Sequence, residues 1–196
     1  MLTSGIRDSF VENRGKVTAI PDVQSLAAGS ADADAVKNEA QPSVATTTAK
    51  NFIAHRALAT EAFGPFTLII VAEGLAEFSA CAAALEGQLT ATLHANASDF
   101  ADARPLLAAL EQKVGRVLLN GFPTGVEVCP AMNHGGPYPA TTDVRHTSVG
   151  TAAMLRFARP ICYQSLPDTL LPDSLKNANP LGLLRLVGGK PTRDAA

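Results

Sequence analysis

The most distinctive hydrophobic pattern in the chain is a run without charge, Phe66 to Ala72, which follows a Gly-Pro pair. The run does not alternate between apolar and polar residues, which is typical of a strand covered on both faces in a parallel sheet. A buried helical segment would show a similar pattern. Pro65 and the β-branched residues of the run favour the strand.

Helix and strand patterns alternate downstream of this run. Apolar residues at helical spacing extend from Leu75 to Leu85 and, after Pro105, from Leu106 to Val114. A strand pattern follows each helix, at Leu89 to Ala95 and at Arg116 to Asn120. This order predicts right-handed crossovers and an α/β fold. We expect the three strands to be parallel neighbours in one sheet.

The first sixty residues contain weaker patterns. Apolar residues at every fourth position predict an amphipathic helix from Leu2 to Arg14. Small and polar residues from Ala27 to Ala40 predict a surface connection, with a short helix near Asp34 to Glu39. Loose alternation predicts a strand from Pro42 to Phe52, and a short helical turn is expected around His55 to Thr60.

Glycine, proline and threonine dominate the segment from Gly121 to Gly150. A loop of this length within a domain is more often functional than idle, so we expect site residues here. The pattern then predicts a helix from Gly150 to Arg159, ended by Pro160, and a short strand from Ile161 to Leu166. The tail from Pro167 to Arg193 lacks clear periodicity and is expected to wrap over the surface.

Composition limits which partners and which cellular compartment are expected for the chain. At 196 residues with 46% hydrophobic content, the chain suits one domain with a normal core. Its net charge of -2 offers no electrostatic footprint for nucleic acid or an anionic membrane, so we expect neither partner. Met1 to Gly15 lacks the apolar segment of a signal peptide, and three irregularly spaced cysteines suit a reducing compartment. We therefore expect a cytoplasmic protein. His55, His94 and His146 lack metal-ligand spacing, and no metal site is expected.

The residues before the apolar run form the motif Glu-x-Phe-Gly-Pro, from Glu61 to Pro65. With the strand that follows, this motif resembles the signature of the NAD(P)-dependent aldehyde dehydrogenases. Four further segments resemble one subgroup, the ketoglutarate semialdehyde (2,5-dioxovalerate) dehydrogenases: Asn120 to Cys129, His134 to Asp143, Thr147 to Thr151 and Ala178 to Gly182. The resemblance covers nearly the whole chain but only the carboxy-terminal part of the family's length. It implies a parallel-sheet portion of the family's catalytic domain, without the dinucleotide-binding domain.

The resemblance implies roles for a small set of residues. In the family, the glutamate and the phenylalanine of the motif contact the ribose and nicotinamide of NAD or NADP, and by position these are Glu61 and Phe63. The family's substrate funnel is lined by the region after the third predicted strand. The candidate substrate-pocket residues there are Asn120, Cys129, His134, Gly135 and Gly136. Asn120 could instead cap its strand, and the His-Gly-Gly segment could form only a turn.

The resemblance also divides the chain. Residues 1–160 would be part of the catalytic domain, and residues 161–196 would hold an oligomerisation-type strand and the tail. In the relatives the corresponding strand takes part in subunit pairing, so Ile161, Tyr163 and Leu166 are candidates for an interface. The expected partners are a further copy of the chain or a missing amino-terminal half, and the complete enzyme would act on an aldehyde.

The family's chemistry requires a cysteine nucleophile, a general-base glutamate and a glycine-bearing dinucleotide fold, all of which precede the Glu-x-Phe-Gly-Pro motif. Cys81, Cys129 and Cys162 all follow it, and no G-x-G-x-x-G follows a predicted strand. We therefore assign no catalytic residue and expect the chain alone to be inactive. Cys81, on an alanine-rich helix, is expected to be inert, and Cys129 to be the most reactive of the three.

Three classes of function stay open at this point. The first is a segment of an aldehyde-oxidising enzyme, which would need the missing half in trans. The second is a non-catalytic interaction module that pairs with an intact subunit through its strand edges. The third is a free-standing small-molecule binder, which a ligand-dependent rise in melting temperature would favour.

Overall fold

The computed structural model describes residues 1–196 and divides them into two units, Met1–Arg156 and Phe157–Ala196. The helices are α1 Ser4–Thr18, α2 Ala49–Ala54, α3 Leu75–Ala84 and α4 Phe100–Glu111. The strands of the first unit are β1 Gln24–Ala28, β2 Ser43–Thr48, β3 Phe66–Val71, β4 Gln88–Leu93 and β5 Val114–Leu119. Those of the second unit are β6 Arg185–Val187 and β7 Lys190–Thr192. Short 3-10 helices lie at Arg56–Ala59, Ala97–Asp99, Thr151–Phe157 and Asp168–Leu170. No helix is both long enough and apolar enough to cross a bilayer.

Parallel pairing occurs twice in the first unit, in two separate sheets. β2 lies parallel to β3, with Thr46 opposite Ile69, and β1 joins β2 in the antiparallel direction. β4 lies parallel to β5, with Thr90 opposite Arg116. The expectation that β3, β4 and β5 form one sheet is therefore wrong, because β3 pairs with β2 and not with β4.

An apolar cavity of about 420 Å³ lies between the two sheets. It is lined by Ile70 and Ala72 at β3, by Ala91 and Leu93 of β4, and by apolar side chains of α2, α3 and α4. Strand pairing requires the two backbones to approach to about 4.8 Å. Side chains from three helices line the space between β3 and β4, so these strands do not reach that distance.

β3 is confirmed as a strand, but it is buried on one face only. Phe66, Leu68 and Ile70 are half-buried and pack on the core. The alternate residues point outward, and Val71 is 58% exposed. The expectation of a strand covered on both faces is wrong for this chain, because none of its elements covers the outer face of β3.

Two hydrophobic clusters position β3 and β4. The cluster at α1, α2 and β3 is centred on Val17, Phe52 and Leu58. The cluster at α3, α4 and β4 is centred on Ala82, Leu106 and Leu110. Complete burial of a leucine or phenylalanine side chain contributes about 1.5–3 kcal/mol, so these contacts fix the helices on the strands.

α1 places an aromatic ring directly beneath the Glu-x-Phe-Gly-Pro motif. The helix begins after Thr3, whose Oγ1 accepts a hydrogen bond from Ile6 N at 3.2 Å, and it continues to Thr18, beyond the predicted end. Phe10 is fully buried. A Cβ atom at Gly64 would lie 2.5 Å from the Phe10 ring, so only glycine permits this approach.

The region before the motif differs from the predicted pattern. β1 was not predicted, because its five residues are all exposed and give no apolar signal. The predicted helix at Asp34 to Glu39 is a turn, in which Glu39 N donates to Asp34 O at 3.0 Å. The predicted strand from Pro42 to Phe52 ends at Thr48, because Thr48 Oγ1 accepts from Asn51 N at 3.1 Å and caps α2. The helical turn after His55 is confirmed.

The segment from Gly121 to Gly150 has no helix or strand, and it approaches the beginnings of β4 and β5 closely. A Cβ atom at Gly115 would overlap the carbonyl oxygen of Gly135, and one at Gly136 would overlap that of Gln88. Glycine is required at both positions for this contact of backbone with backbone.

Two polar side chains reinforce the same contact. Asn133 Nδ2 donates to Gly115 O at 3.0 Å. Arg116, on β5, donates from Nη1 to Gly125 O at 2.9 Å and from Nη2 to Pro123 O at 3.5 Å. The long segment is thereby attached to β5 at two points.

The segment from Gly150 to Leu166 differs from the predicted pattern. The expected helix from Gly150 to Arg159 is a 3-10 helix, Thr151–Phe157, with no buried residue. Ile161 to Leu166 is exposed and is not a strand. A strand needs a neighbour to pair its backbone groups, and this segment has none in the chain.

The second unit is organised by a hairpin, β6–β7, which the sequence pattern did not predict. Gly188 and Gly189 connect the strands with positive φ values of 57° and 80°. The buried Asn179 side chain donates to Leu183 O at 2.9 Å and to Arg193 O at 2.7 Å. This amide joins the turn before β6 to the residue after β7.

We predict that Gly136→Ala lowers the free energy of unfolding by about 1–3 kcal/mol, because the added methyl group overlaps the Gln88 carbonyl. Gly125→Ala is the control: it lies in the same segment with no atom within 4 Å of an added Cβ, and it should change stability by less than about 0.5 kcal/mol. Urea unfolding measures both. Equal stability of the two variants would contradict the contact.

Candidate functional site

The loop that carries the Glu-x-Phe-Gly-Pro motif, residues 60–65, lies between the 3-10 helix Arg56–Ala59 and β3. We call it the Glu61 loop. Its backbone is held by Asn13 of α1, whose Nδ2 donates to Glu61 O at 3.1 Å. The Glu61 side chain is exposed, and the Phe63 ring is 66% exposed. Both side chains are therefore free to contact another molecule.

Two cavities border the Glu61 loop. One, of about 440 Å³, is formed by the loop itself with Leu58, Phe66 and Leu68. The other, of about 960 Å³, extends from Glu61 across Leu85–Thr90 to Pro139 and Ala140. We call the larger one the Glu61 cavity. It brings the motif close to the long segment that follows β5.

Backbone and hydroxyl hydrogen bonds shape residues 133–148, which we call the His134 loop. Thr147 Oγ1 accepts from His134 N at 2.8 Å and donates to Val149 O at 2.6 Å. Ser148 donates from Oγ to His134 O at 2.8 Å, and Thr141 Oγ1 donates to Gly136 O at 2.8 Å. These bonds close the loop around a recess.

That recess is a cavity of about 750 Å³ with a largely polar lining, and we call it the polar cavity. Its polar and charged residues are His134, Thr141, Thr142, Asp143, Arg145, His146, Ser148 and Arg156. Leu89, Pro139 and Ala140 line the polar cavity and also the Glu61 cavity. The two cavities therefore adjoin each other.

The charges of the polar cavity are unequally paired. Arg145 donates to both carboxylate oxygens of Asp143, from Nε at 2.9 Å and from Nη2 at 2.7 Å. Hydrogen bonds from the Arg145 side chain and backbone hold the pKa of Asp143 well below its usual range, and the same pair raises the pKa of Arg145. Arg156 is exposed at the rim of the cavity and makes no salt bridge and no side-chain hydrogen bond, so no group in the protein neutralises its charge.

Asn120 lies at the carboxyl end of β5, where its side chain has a structural partner. The side-chain oxygen accepts from Ala95 N at 2.9 Å, and Nδ2 donates to Ala95 O at 2.8 Å. The residue has a φ of 50°. Its amide thus joins the ends of β4 and β5, which favours the capping alternative over a ligand contact.

The cysteines have different environments. Cys81 is half-buried, and burial raises the pKa of its thiol, with a smaller contribution from Glu77. Cys129 is half-buried in the long segment, and Cys162 is exposed. All three are free of disulfide bonds. No group of three or more His, Cys, Asp or Glu side chains could hold a metal ion.

The structure brings some of the predicted site residues together and leaves others apart. Glu61 and His134 border the two adjoining cavities. Gly135 and Gly136 hold the His134 loop on the strands. Asn120 and Cys129 line neither cavity. Sequence reasoning did not select the other polar residues of the polar cavity, although charged residues in a long Gly- and Pro-rich loop are a general sign of function.

We predict that Asn120→Ala destabilises the protein by about 2 kcal/mol, because it removes both bonds to Ala95 and places alanine at a positive φ. Asn120→Gly loses the same bonds without the backbone strain, so it should be less destabilised. Thermal unfolding measures both effects. Unchanged stability in Asn120→Ala would mean that the amide serves another purpose.

Two curated proteins with the same enzyme name are similar to this chain. No family model matches the chain. Alpha-ketoglutaric semialdehyde dehydrogenase 2 of Azospirillum brasilense is 48% identical over 190 residues, which cover 97% of this chain and 36% of that protein. Alpha-ketoglutaric semialdehyde dehydrogenase of Acinetobacter baylyi is 54% identical over 134 residues, which cover 68% of this chain and 26% of that protein. The chain thus spans roughly a third or less of these relatives.

Solved structures agree on the fold. A crystal structure of betaine aldehyde dehydrogenase from Staphylococcus aureus in complex with NAD+ superposes with a TM-score of 0.59 at 16% identity, covering 80% of this chain and 29% of that one. An apo structure of the same enzyme gives a TM-score of 0.56. At this identity the similarity concerns the fold alone. The predicted resemblance and fold class are confirmed. In sequence and in fold, the chain corresponds to part of an aldehyde dehydrogenase.

Proposed function

We propose that the chain is part of an NAD(P)-dependent dehydrogenase that oxidises a ketoglutarate semialdehyde-like aldehyde to the acid. The observation that carries this proposal is the 48% identity, over 97% of the chain, to a protein named for that aldehyde. The Glu61 loop and the His134 loop provide a structural basis, because they border adjoining cavities. One can serve the cofactor and the other the substrate.

The Glu61 loop fits a nucleotide cofactor chemically. An exposed carboxylate can accept hydrogen bonds from the hydroxyl groups of a ribose, and an exposed phenyl ring can pack on a sugar or a nicotinamide ring. Phe63 is 66% exposed and Glu61 is exposed beside it. NAD(P)+, when bound, would accept the hydride of the oxidation. In this proposal Glu61 and Phe63 orient the cofactor.

The chain itself offers no thiol at the place where the family has its nucleophile. The family's nucleophile precedes the Glu-x-Phe-Gly-Pro motif, and all three cysteines follow it. An activated thiol needs a lowered pKa, whereas the pKa of Cys81 is raised by burial. We therefore propose that the chain contributes cofactor contacts and part of the pocket wall. The unpaired cysteines suit the cytoplasm that we propose as its location.

A second candidate, an interaction module without its own catalysis, is favoured by exposed apolar surface. The outer face of β3 exposes Ile69 and Val71, and α3 exposes Leu75 and Phe78. Such surface on a folded unit marks a place for another protein surface. A missing amino-terminal half or a further copy of the chain would cover it. This candidate is compatible with the first, since a covered chain could also serve a complete active site.

We predict weak binding of NAD+ or NADP+, with a dissociation constant of about 1 mM, that shifts the amide NMR signals of residues 62–64. Phe63→Ala should weaken this binding about fivefold, because it removes the ring that packs on the cofactor. Phe100→Ala is the control, since it removes another exposed ring, at the start of α4. Absence of these shifts, or equal binding by the Phe63 and Phe100 variants, would contradict the proposed cofactor contact.

A further inference from the structure

Two imidazole nitrogens and one guanidinium at the polar cavity make no hydrogen bond within the protein. Nδ1 of His134 and Nδ1 of His146 are buried and lack a hydrogen-bond partner, and both imidazoles line the cavity. Arg156 adds a guanidinium with no partner of its own. Buried polar atoms in proteins are nearly always paired with protein or water, so these two ring nitrogens are available to a molecule that enters the cavity.

The balance of charge determines which ligand fits. Asp143 would repel an anion, but it is neutralised by two hydrogen bonds from Arg145. Arg156 then leaves the cavity with one excess positive charge. Each imidazole donates from Nδ1 in the tautomer that carries its hydrogen there, and Nε2 of His146 lies 3.8 Å from Asp143 Oδ2. Arg145 uses only Nε and Nη2 on Asp143, so its Nη1 hydrogens are also free. A guanidinium with further donors around it matches the planar oxygen pair of a carboxylate.

We propose that the polar cavity binds the carboxylate of a short oxo acid, with Arg156 as its principal cation and His134 and His146 as donors. This inference rests on the proposed function, in which the substrate carries a carboxylate at one end and an aldehyde at the other. Leu89, Pro139 and Ala140 line both cavities. A short molecule anchored by its carboxylate in the polar cavity therefore has its remaining atoms beside the Glu61 cavity, where the cofactor is proposed to bind.

The hydroxyl groups of the cavity have a different part in this proposal. Thr141 Oγ1 and Ser148 Oγ donate their hydrogens to Gly136 O and His134 O. They are therefore not donors to the anion. Their contribution is to hold the loop in the shape that keeps His134 at the cavity.

The test is an NMR titration of the purified chain with 2-oxoglutarate, in which the imidazole signals of His134 and His146 are followed. We expect saturable shifts of both signals. Pentan-2-one, which has the same carbon number and no charge, should produce none. Arg156→Gln should weaken the binding of 2-oxoglutarate about fivefold. Arg156→Lys should weaken it less, because lysine keeps the charge but loses the planar pair of donors.

Arg104→Gln is the matched control, because Arg104 lies exposed on α4 and does not line the polar cavity. It should bind 2-oxoglutarate as the unsubstituted chain does. A second titration uses inorganic phosphate, because a phosphate group can also bind a guanidinium. Phosphate that binds more tightly than 2-oxoglutarate would overturn the assignment to a carboxylate.

Failure to bind 2-oxoglutarate, or equal affinity in the Arg156→Gln and Arg104→Gln variants, would also overturn the proposal. Neither result would bear on the cofactor contact of Phe63, which is measured with NAD+ or NADP+ on different amide signals. A failure of this inference is therefore distinguishable from a failure of the proposed function.

Discussion

The candidate site depends on the close approach of the His134 loop to the first residues of β4 and β5. A Cβ atom at Gly115 would overlap the carbonyl oxygen of Gly135, and a Cβ atom at Gly136 would overlap that of Gln88. This contact needs little hydrophobic burial, because its parts are backbone groups and the amide of Asn133. It places Pro139 and Ala140 in the wall of the same cavity as Glu61. The Glu61 loop and the His134 loop, more than seventy positions apart in the sequence, therefore border one cavity.

The same arrangement explains why the chain holds adjoining cavities on an incomplete sheet. An apolar cavity lined by helix side chains lies between β3 and β4, and each of these strands pairs on one side only. The outer face of β3 exposes Ile69 and Val71. Exposed apolar side chains of this kind are expected where another protein surface covers the strand. Both features fit the proposal that another protein surface covers this face, and the chain spans 36% and 26% of the two relatives.

The sequence predicted those parts of the fold that depend on local periodicity. β3, β4, β5 and the helices between them have strong patterns of apolar residues, and all of them are present. The second helix, predicted after Pro105 and up to Val114, instead begins at Phe100 with Pro105 inside it and ends at Glu111, and Val114 begins β5. The pairing of β3 with β2 could not be predicted, because local periodicity indicates where a strand lies but not which strand it pairs with. β1 has no apolar pattern and exists only because β2 offers an edge.

The sequence predicted the site residues that belong to a recognisable motif, but not those that only the folded structure brings to the cavities. Glu61, Phe63 and His134 were selected through resemblance, and the structure places Glu61 and His134 at adjoining cavities. Arg156 has no motif of its own. It lies in a 3-10 helix that a simple pattern reads as an ordinary helix, and only the folded loop brings it to the polar cavity. Asn120 shows the opposite case: it lies at the carboxyl end of a strand, where the sequence predicts a ligand contact, but its amide makes two hydrogen bonds to the backbone of Ala95.

The most direct test measures formation of NADH or NADPH from ketoglutarate semialdehyde by the purified chain, alone and after addition of the part of the Azospirillum brasilense relative that the chain does not match. The account predicts no turnover by the chain alone, because no thiol stands where the family has its nucleophile. It predicts turnover once the other part is present, reduced by Phe63→Ala. Turnover by the chain alone, or turnover by the pair that does not depend on Phe63, would contradict the account.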